Sequence, residues 1–193
     1  MRNAIRALFA TVVFAFLTGL IYPLALTVVA RVVFTNQADG SPITVDGKVV
    51  GSALIGQPWD GPEWFYGRPS AIAEPYDASA SSGSNLGPLS QALADAITER
   101  VQAIVELEGP YHPGLTAAAI PVDLLTASSS GLDPDISPAA AIFQAPRIAA
   151  ERQISLQRVL ALIDANTSGR TLGFLGEPRV NVLELNLALE AQV

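Results

Sequence analysis

One histidine, one lysine and no cysteine limit the chemistry that these 193 residues can carry. His112 stands between Tyr111 and Pro113. Ser128 or Ser130 as nucleophile, with Asp123 or Asp133 as orienter, would complete a triad with it on paper. No Gly-x-Ser-x-Gly elbow frames those serines, so His112 reads as a solvated loop histidine. Asp133-Pro134-Asp135 supplies two carboxylates without the spacing of a calcium loop, and a single histidine does not build a zinc site. That tripeptide reads instead as a proline-stiffened turn ahead of a helix N-cap. Lys48 is followed by Val49, which excludes a Gly-Lys-Ser/Thr phosphate loop and the Asp-Lys-Thr-Gly setting of an aspartyl-phosphate pump. The glycine-bearing turns at 83–87 and 173–176 lack a dinucleotide fingerprint. The chain is therefore no self-sufficient ATPase, and no catalytic or metal-binding residue is assigned to it.

Other polar strings fit neither a core nor catalysis. Gly67-Arg68-Pro69-Ser70, Ser84-Asn85-Leu86-Gly87-Pro88, Leu132-Asp133-Pro134 with Ile136-Ser137-Pro138, and the run Gly173 to Arg179 are dense in Gly, Pro, Asn and Arg. Such residues build defined loops, and rigid loops on an exposed domain suit docking.

What must position them begins with a hydrophobic N-terminus. The chain is 50% hydrophobic and 15% charged, and the excess is concentrated in 24 uncharged residues, Ala7 to Ala30. Crossing the hydrocarbon of a bilayer takes about 20 apolar residues, whereas the core of a cleaved signal runs only about 7 to 15. An uncleaved anchor is expected, kinked near Gly19 to Pro23, where proline removes a backbone donor. Thr18 and Gly19 are small enough for close helix packing. Arg2, Arg6 and the amino terminus precede the span, against Arg31 and the distant Lys48 after it. That bias places the N-terminus inside and the following domain outside. Residues 32–193 hold 8 basic and 18 acidic side chains, a net charge of −10, which disfavours nucleic acid and enriches cations nearby.

The expected organisation is a basic N-terminus at 1–6, a transmembrane helix at 7–30, a linker at 31–41 and an extracytoplasmic domain at 42–193. The fold class is one N-terminal transmembrane helix followed by a single mixed α/β soluble domain with long irregular loops. Ile43, Val45 and Val49 alternate around Asp46-Gly47, a hairpin signal. Residues 57–88 read as a long irregular segment, kept from disorder by Trp59, Trp64, Phe65 and Tyr66. Leu89, Leu93, Ile97, Val101 and Val105 predict a helix stopping at Gly109-Pro110. Ile120 to Thr126 reads as extended. Ser137-Pro138 starts a helix that Pro146 should end or break, and Ser155 caps another over Leu156 to Asn166. For 180–190 a strand through Val180 and Val182 competes with a capping box from Asn181 to Glu184, and both remain open.

The same strings resemble the C subunit of the Kdp potassium-transporting ATPase. The resemblance runs through Gly51-Ser52-x-Leu54-Ile55-Gly56-Gln57, Gly67 to Ala71, Ser84 to Pro88, Pro121-x-Asp123-Leu124-x-Thr126-Ala127-Ser128, Gly131 to Ala141, and Arg170 to Leu183. Ser129 replaces a glycine usual in that pattern, and Asp135 stands where histidine is expected. The resemblance implies a subunit with no catalytic residue of its own in a bacterial inner-membrane pump, alongside a potassium-selecting A subunit, an ATP-hydrolysing B subunit and a small F subunit. It implies a role in assembly and in raising the ATP affinity of B, with ATP associated with the complex and no firmly bound cofactor. No nucleotide-binding residue is assigned. With the domain outside and ATP inside, such an effect is indirect coupling. The loop residues it singles out as structural or docking are Gly67, Arg68, Pro69, Ser70, Ser84, Asn85, Gly87, Asp123, Thr126, Ser128, Gly131, Asp133, Ser137, Pro138, Gly173, Gly176, Glu177, Arg179 and Asn181. The acidic domain would sit over the mouth of A. Competing classes are an independent membrane-anchored solute-binding module or enzyme, and a cytoplasmic-facing nucleotide sensor.

Overall fold

The computed structural model describes residues 1–192. They form two compact units, Met1–Val50 and the chain from Gly51 onward. The first is dominated by 32 continuous helical residues, Arg2–Val33, long and apolar enough to cross a membrane. Its helices α1 (Arg2–Phe16) and α2 (Tyr22–Val33) bury none of their residues within the chain. Side chains such as Phe9, Phe14 and Leu24 are left to lipid or to other chains for cover. Between the helices Leu17–Ile21 winds as a π-turn, with Tyr22 N donating back to Leu17 O. This change of winding, within a continuous helix, lies just ahead of Pro23, which has no N–H to offer Gly19. Thr18 Oγ1 donates to Phe14 O at 2.7 Å and Thr27 Oγ1 to Pro23 O at 2.8 Å, so the hydroxyls are satisfied inside the helix.

A short helix α3 (Thr35–Ala38) follows, then the hairpin of β1 (Pro42–Val45) and β2 (Lys48–Ser52). Asp46 and Gly47 both take positive φ, +50° and +76°, as a two-residue turn of that kind demands.

The second unit is built around α6 (Pro138–Glu151), with α7 (Leu156–Ala165) packed on it and α8 (Val182–Glu190) on α7. Ala140, Ala141, Ala145, Ile148, Val159, Ile163, Leu185 and Leu189 form its core with Phe65. A small antiparallel sheet, in the order β3 (Asp135–Ile136), β5 (Arg179–Asn181), β4 (Thr167–Ser168), adds Ile136 and Val180. Val180 faces both Ile136 and Thr167 across the ladders. The expected caps are made: Ser137 Oγ accepts from Ala140 N at 3.0 Å and Ser155 Oγ from Arg158 N at 3.2 Å. Each such cap is worth about 1 kcal/mol. Both readings of 180–190 hold in succession, because Asn181 ends β5 and its Oδ1 accepts from Glu184 N to cap α8.

Three expectations need correction. Ile120 to Thr126 is not extended: Val122–Leu125 form a short helix, α5. Ile120 and Leu124 are buried while Val122 is 69% exposed, so the apolar period there is four residues rather than two. Pro146 does not end α6, which continues to Glu151. Its interior cost, about 3 kcal/mol, is offset by burial of Gln144 and Ala145 before it and of Arg147, Ile148 and Ala149 after it. The helix over 89–105 is α4 (Gln91–Glu108), and Leu89 is 99% exposed. A strict four-residue repeat precesses by about 40° per step on a 3.6-residue helix. The inward face therefore runs through Leu93, Ile97, Val101, Ile104 and Leu107 to a buried Glu108.

Candidate functional site

The irregular stretch 57–88 is gripped from beneath by two amide side chains. Asn186, on α8, accepts from Phe65 N at 2.9 Å and donates to Phe65 O at 3.0 Å. Gln144, on α6, accepts from Tyr66 N at 2.8 Å and donates to Tyr66 O at 3.1 Å. Two consecutive residues are thus paired as a strand would pair them, without a strand. Arg147 adds to the grip. It is wholly buried, donates to Trp64 O at 2.9 Å and to Pro62 O, and its Nε meets Glu108 Oε1 at 2.8 Å. Arg152 lies over the Trp64 ring at 4.1 Å.

Beyond that grip the chain delivers Gly67-Arg68-Pro69-Ser70 to a polar cluster. Arg68 Nη1 meets Asp133 Oδ2 at 3.1 Å, and Nη2 donates to the carbonyls of Thr126 and Ala127 at 3.3 and 3.4 Å. Ser128 N donates to Pro69 O, Ser70 Oγ to Gly131 O, and Gly131 N to Ser128 Oγ. Gly131 is required as glycine: its φ is +71°, and a Cβ would stand 2.6 Å from Ile72 Cγ1 and 2.8 Å from Ser82 O. Tyr76 donates to Arg68 O at 2.5 Å. Burial, and to a lesser degree the charge of Asp133, push its hydroxyl up to about 12.

Asp123, on α5, accepts from Ser137 N at 2.7 Å and Ser137 Oγ at 3.1 Å, while Pro138 opens α6. Asp135 pairs with Arg179 at 3.0 Å across the β3–β5 ladder. Its carboxyl is raised above the usual range by burial, an effect that Arg179 opposes and Asp133 reinforces. Asn181 donates to Ala53 O at 2.9 Å. One open cleft is lined by Arg68, Asp123, Asp133, Asp135, Ser137, Glu177 and Arg179. Residues scattered over more than a hundred positions of sequence therefore meet at one place.

Other singled-out residues lie apart from that cleft. Ser84, Asn85 and Gly87 sit exposed on the approach to α4, with Asn85 at φ +53°. Gly173 and Gly176, both at positive φ, belong to a hairpin loop between β4 and β5. Ala7 and Ala30, taken as the span ends, both fall inside the helix Arg2–Val33. The paper triad is not assembled by these bonds. His112 is no freely solvated histidine: it stacks on Phe143 at 4.7 Å and its Nε2 meets Phe143 O at 2.8 Å. Ser128, Asp123 and Asp133 are engaged as described above. Among the described residues no group of three His, Cys, Asp or Glu is placed to hold a metal ion.

Sequence reasoning missed Glu108, Gln144, Arg147 and Asn186. The signal was present, since each is a polar residue at helical spacing among apolar ones: Gln144 between Ala140 and Ile148, Asn186 between Val182 and Leu189.

A family model described as "K+-transporting ATPase, c chain" matches residues 4–191. Among its relatives, a potassium-transporting ATPase KdpC subunit of Variovorax paradoxus is 55% identical over 99% of this chain and 97% of its own length. The KdpC subunit of Herpetosiphon aurantiacus is 53% identical over 98% and 97%, and that of Methylococcus capsulatus 55% over 96% and 95%. With the apolar N-terminal helix and the loop cluster behind it, these matches cover nearly the whole molecule, and the chain belongs to the KdpC family, the C chain of K+-transporting ATPases.

Proposed function

We propose that this chain is an accessory subunit of an ATP-driven potassium uptake pump, without catalysis of its own, and that it serves assembly with the A, B and F subunits. Its domain lies outside the membrane, over the potassium-accepting mouth of A. Any effect on ATP affinity in B travels through the complex rather than by contact. The net charge of −10 on residues 32–193 would raise the local concentration of cations there.

One observation carries the docking part of this reading. From Ser168 to Arg179 every residue is exposed, yet the segment is held in a defined shape. Thr171 and Leu175 exchange backbone hydrogen bonds at 2.9 Å each, and Arg170 pairs with Glu177 at 2.6 Å. Leu172 takes φ +55° and Gly173 φ +83° at the turn. On this tongue Leu172, Phe174 and Leu175 are 80%, 68% and 50% exposed, outside the core that the unit buries elsewhere. An ordered loop that presents three large apolar side chains loses little entropy on binding and gains their burial.

The test replaces them together, Leu172→Ser, Phe174→Ser and Leu175→Ser, in the membrane complex. Unfolding stability of the chain should move by no more than about 0.5 kcal/mol, since the residues lie on the surface. Recovery of the other subunits with this chain should fall at least about tenfold, and potassium uptake at low external potassium should fall with it. Full recovery and uptake would refute the docking role. Orientation is tested separately: the chain has no cysteine, so Ser84→Cys gives a unique thiol. A membrane-impermeant maleimide should label it in intact cells, and labelling only after lysis would overturn the placement.

A further inference from the structure

The base of the tongue stands between two clefts. Glu177, Pro178 and Arg179 line the open cleft that also holds Arg68 and Asp133. Ser168 and Arg179, paired across the β4–β5 ladder, line a second cleft with Leu54, Asp135 and Glu184. Asp135 and Arg179 belong to both clefts, so the surface runs from one to the other across the root of the tongue. Asn181 ties Ala53, the neighbour of Leu54, to the same place. Leu54 is 61% exposed and adds an apolar side chain at the base to the three on the tongue itself.

The charges of this surface do not balance. Its basic groups are used up in three ion pairs, Arg68 with Asp133, Arg179 with Asp135 and Arg170 with Glu177. Among the described residues, Asp123 in the first cleft and Glu184 in the second have no ion pair, which leaves a negative surplus in each. Asp123 takes only the Ser137 N–H and hydroxyl, both neutral donors. Glu184 is exposed on the first turn of α8. Asp135 registers the surplus: burial raises its carboxyl most, and Asp133 and Glu184 add to the rise against the pull of Arg179. These carboxylates are not grouped to hold a metal ion among the described residues. An anionic lipid surface would be repelled. A surface that is both apolar and short of positive charge suits lysine or arginine, whose methylene stems lie along apolar side chains while the head reaches a carboxylate.

We infer that the tongue and the two clefts at its base form one docking surface for a basic, apolar segment of a partner subunit. That segment covers Leu172, Phe174 and Leu175 with apolar residues and sends lysine or arginine side chains into the clefts, toward Asp123 and Glu184. The inference rests on the docking role of the tongue and adds the chemistry of what docks there. The two halves of the contact respond differently to salt. Charge pairing weakens as the Debye length falls from about 10 Å at 0.1 M salt to about 3 Å at 1 M, whereas burial of the apolar residues does not depend on screening.

The test captures the other pump subunits on the full chain in detergent, at about 0.1 M and about 1 M sodium chloride. Wild-type recovery should fall at least about threefold at the higher salt, and equally in choline chloride, because screening depends on ionic strength alone. Glu184→Lys should lower recovery at least about fivefold at the lower salt and less than about twofold at the higher, with Glu184→Gln between it and wild type. Glu184 is exposed, so the denaturant midpoint of each variant should stay that of wild type. Wild-type recovery that ignores salt, or recovery in Glu184→Lys that equals or exceeds wild type at the lower salt, would overturn the inference. A fall in sodium chloride but not in choline chloride would also overturn it, as the mark of a bare inorganic cation in the clefts. The triple serine variant of Leu172, Phe174 and Leu175 separates the two readings. Loss of recovery there at both salts, with wild-type recovery in Glu184→Lys, removes only the basic partner and leaves the docking role standing. Full recovery of the serine variant removes the docking role itself.

Discussion

Asn186→Asp changes one atom of the grip on Phe65 and makes its energy titratable. In the wild type Oδ1 accepts from Phe65 N at 2.9 Å and Nδ2 donates to Phe65 O at 3.0 Å, with the side chain wholly buried. An ionised aspartate keeps the first bond but turns an oxygen toward the Phe65 carbonyl, two acceptors face to face. A protonated aspartate restores the donor and copies asparagine. The folded state of the variant therefore favours the neutral acid, and the price at pH 7 is set by holding an acid of ordinary pKa about 3.9 protonated there. At 1.36 kcal/mol per unit that is about 4 kcal/mol, an upper bound reached only where the ionised form is worse still. Against a domain stability of about 5–15 kcal/mol this is a large share. The sign follows from proton uptake: the folded variant binds a proton that the unfolded chain releases. Its stability relative to wild type thus falls by up to about 1.4 kcal/mol per pH unit from about pH 4 upward, and recovers on acidification. Denaturant titrations of both full chains in the same detergent at about pH 5, 6 and 7, read by the fluorescence of Trp59 and Trp64 in the gripped segment, measure it directly. A penalty below about 1 kcal/mol at pH 7, or one that does not change with pH, would refute the grip as drawn.

Two further outcomes follow from the same geometry. Gly131→Ala should destabilise by more than about 2 kcal/mol, because about 1 kcal/mol of backbone strain at φ +71° adds to a Cβ driven against Ile72 and the Ser82 carbonyl; a denaturant midpoint within about 0.5 kcal/mol of wild type would contradict the close approach. Glu108→Gln removes a carboxyl whose folded pKa is raised, chiefly by burial, so wild type should gain stability relative to the variant as pH falls from that raised value to about 4.3. A pH series of unfolding midpoints tests the direction, and an opposite slope would show Arg147 outweighing burial.

Elements governed by local chemistry were legible in the sequence. The turn at Asp46-Gly47, the caps at Ser137 and Ser155 and the uncharged span each announce themselves within a few residues. Elements decided by distant partners were not. Pro146 breaks an isolated helix, but the burial of its neighbours on α6 holds this one together. Ile120, Val122 and Leu124 alternate as a strand would, and only the burial of the first and third beside an exposed Val122 separates the two periods. The motif residues were identifiable as a set, but not their convergence on one cleft, since Arg68 meets Asp133 across 65 positions of sequence. Polar residues at helical spacing marked Gln144, Arg147 and Asn186 as buried, but not what they hold, because their partners are backbone groups of the irregular segment and side-chain patterns carry no record of those.

The grip also explains how a segment without regular structure can present a rigid surface. Backbone groups buried away from water need partners, and a sheet ladder would supply them only by committing the chain to a straight strand. Amide side chains supply the same pairing at two residues and leave the flanks free to turn. Gly67 follows directly on from Tyr66 and Arg68 enters the cleft, so the position of Arg68 is fixed at one end by the helical core and at the other by Asp133 and the Thr126 and Ala127 carbonyls. Loosening Asn186 or Gln144 therefore acts on the cleft without touching it. A docking surface arranged in this way is ordered before any partner arrives, and the entropy of ordering it is met in folding rather than in assembly.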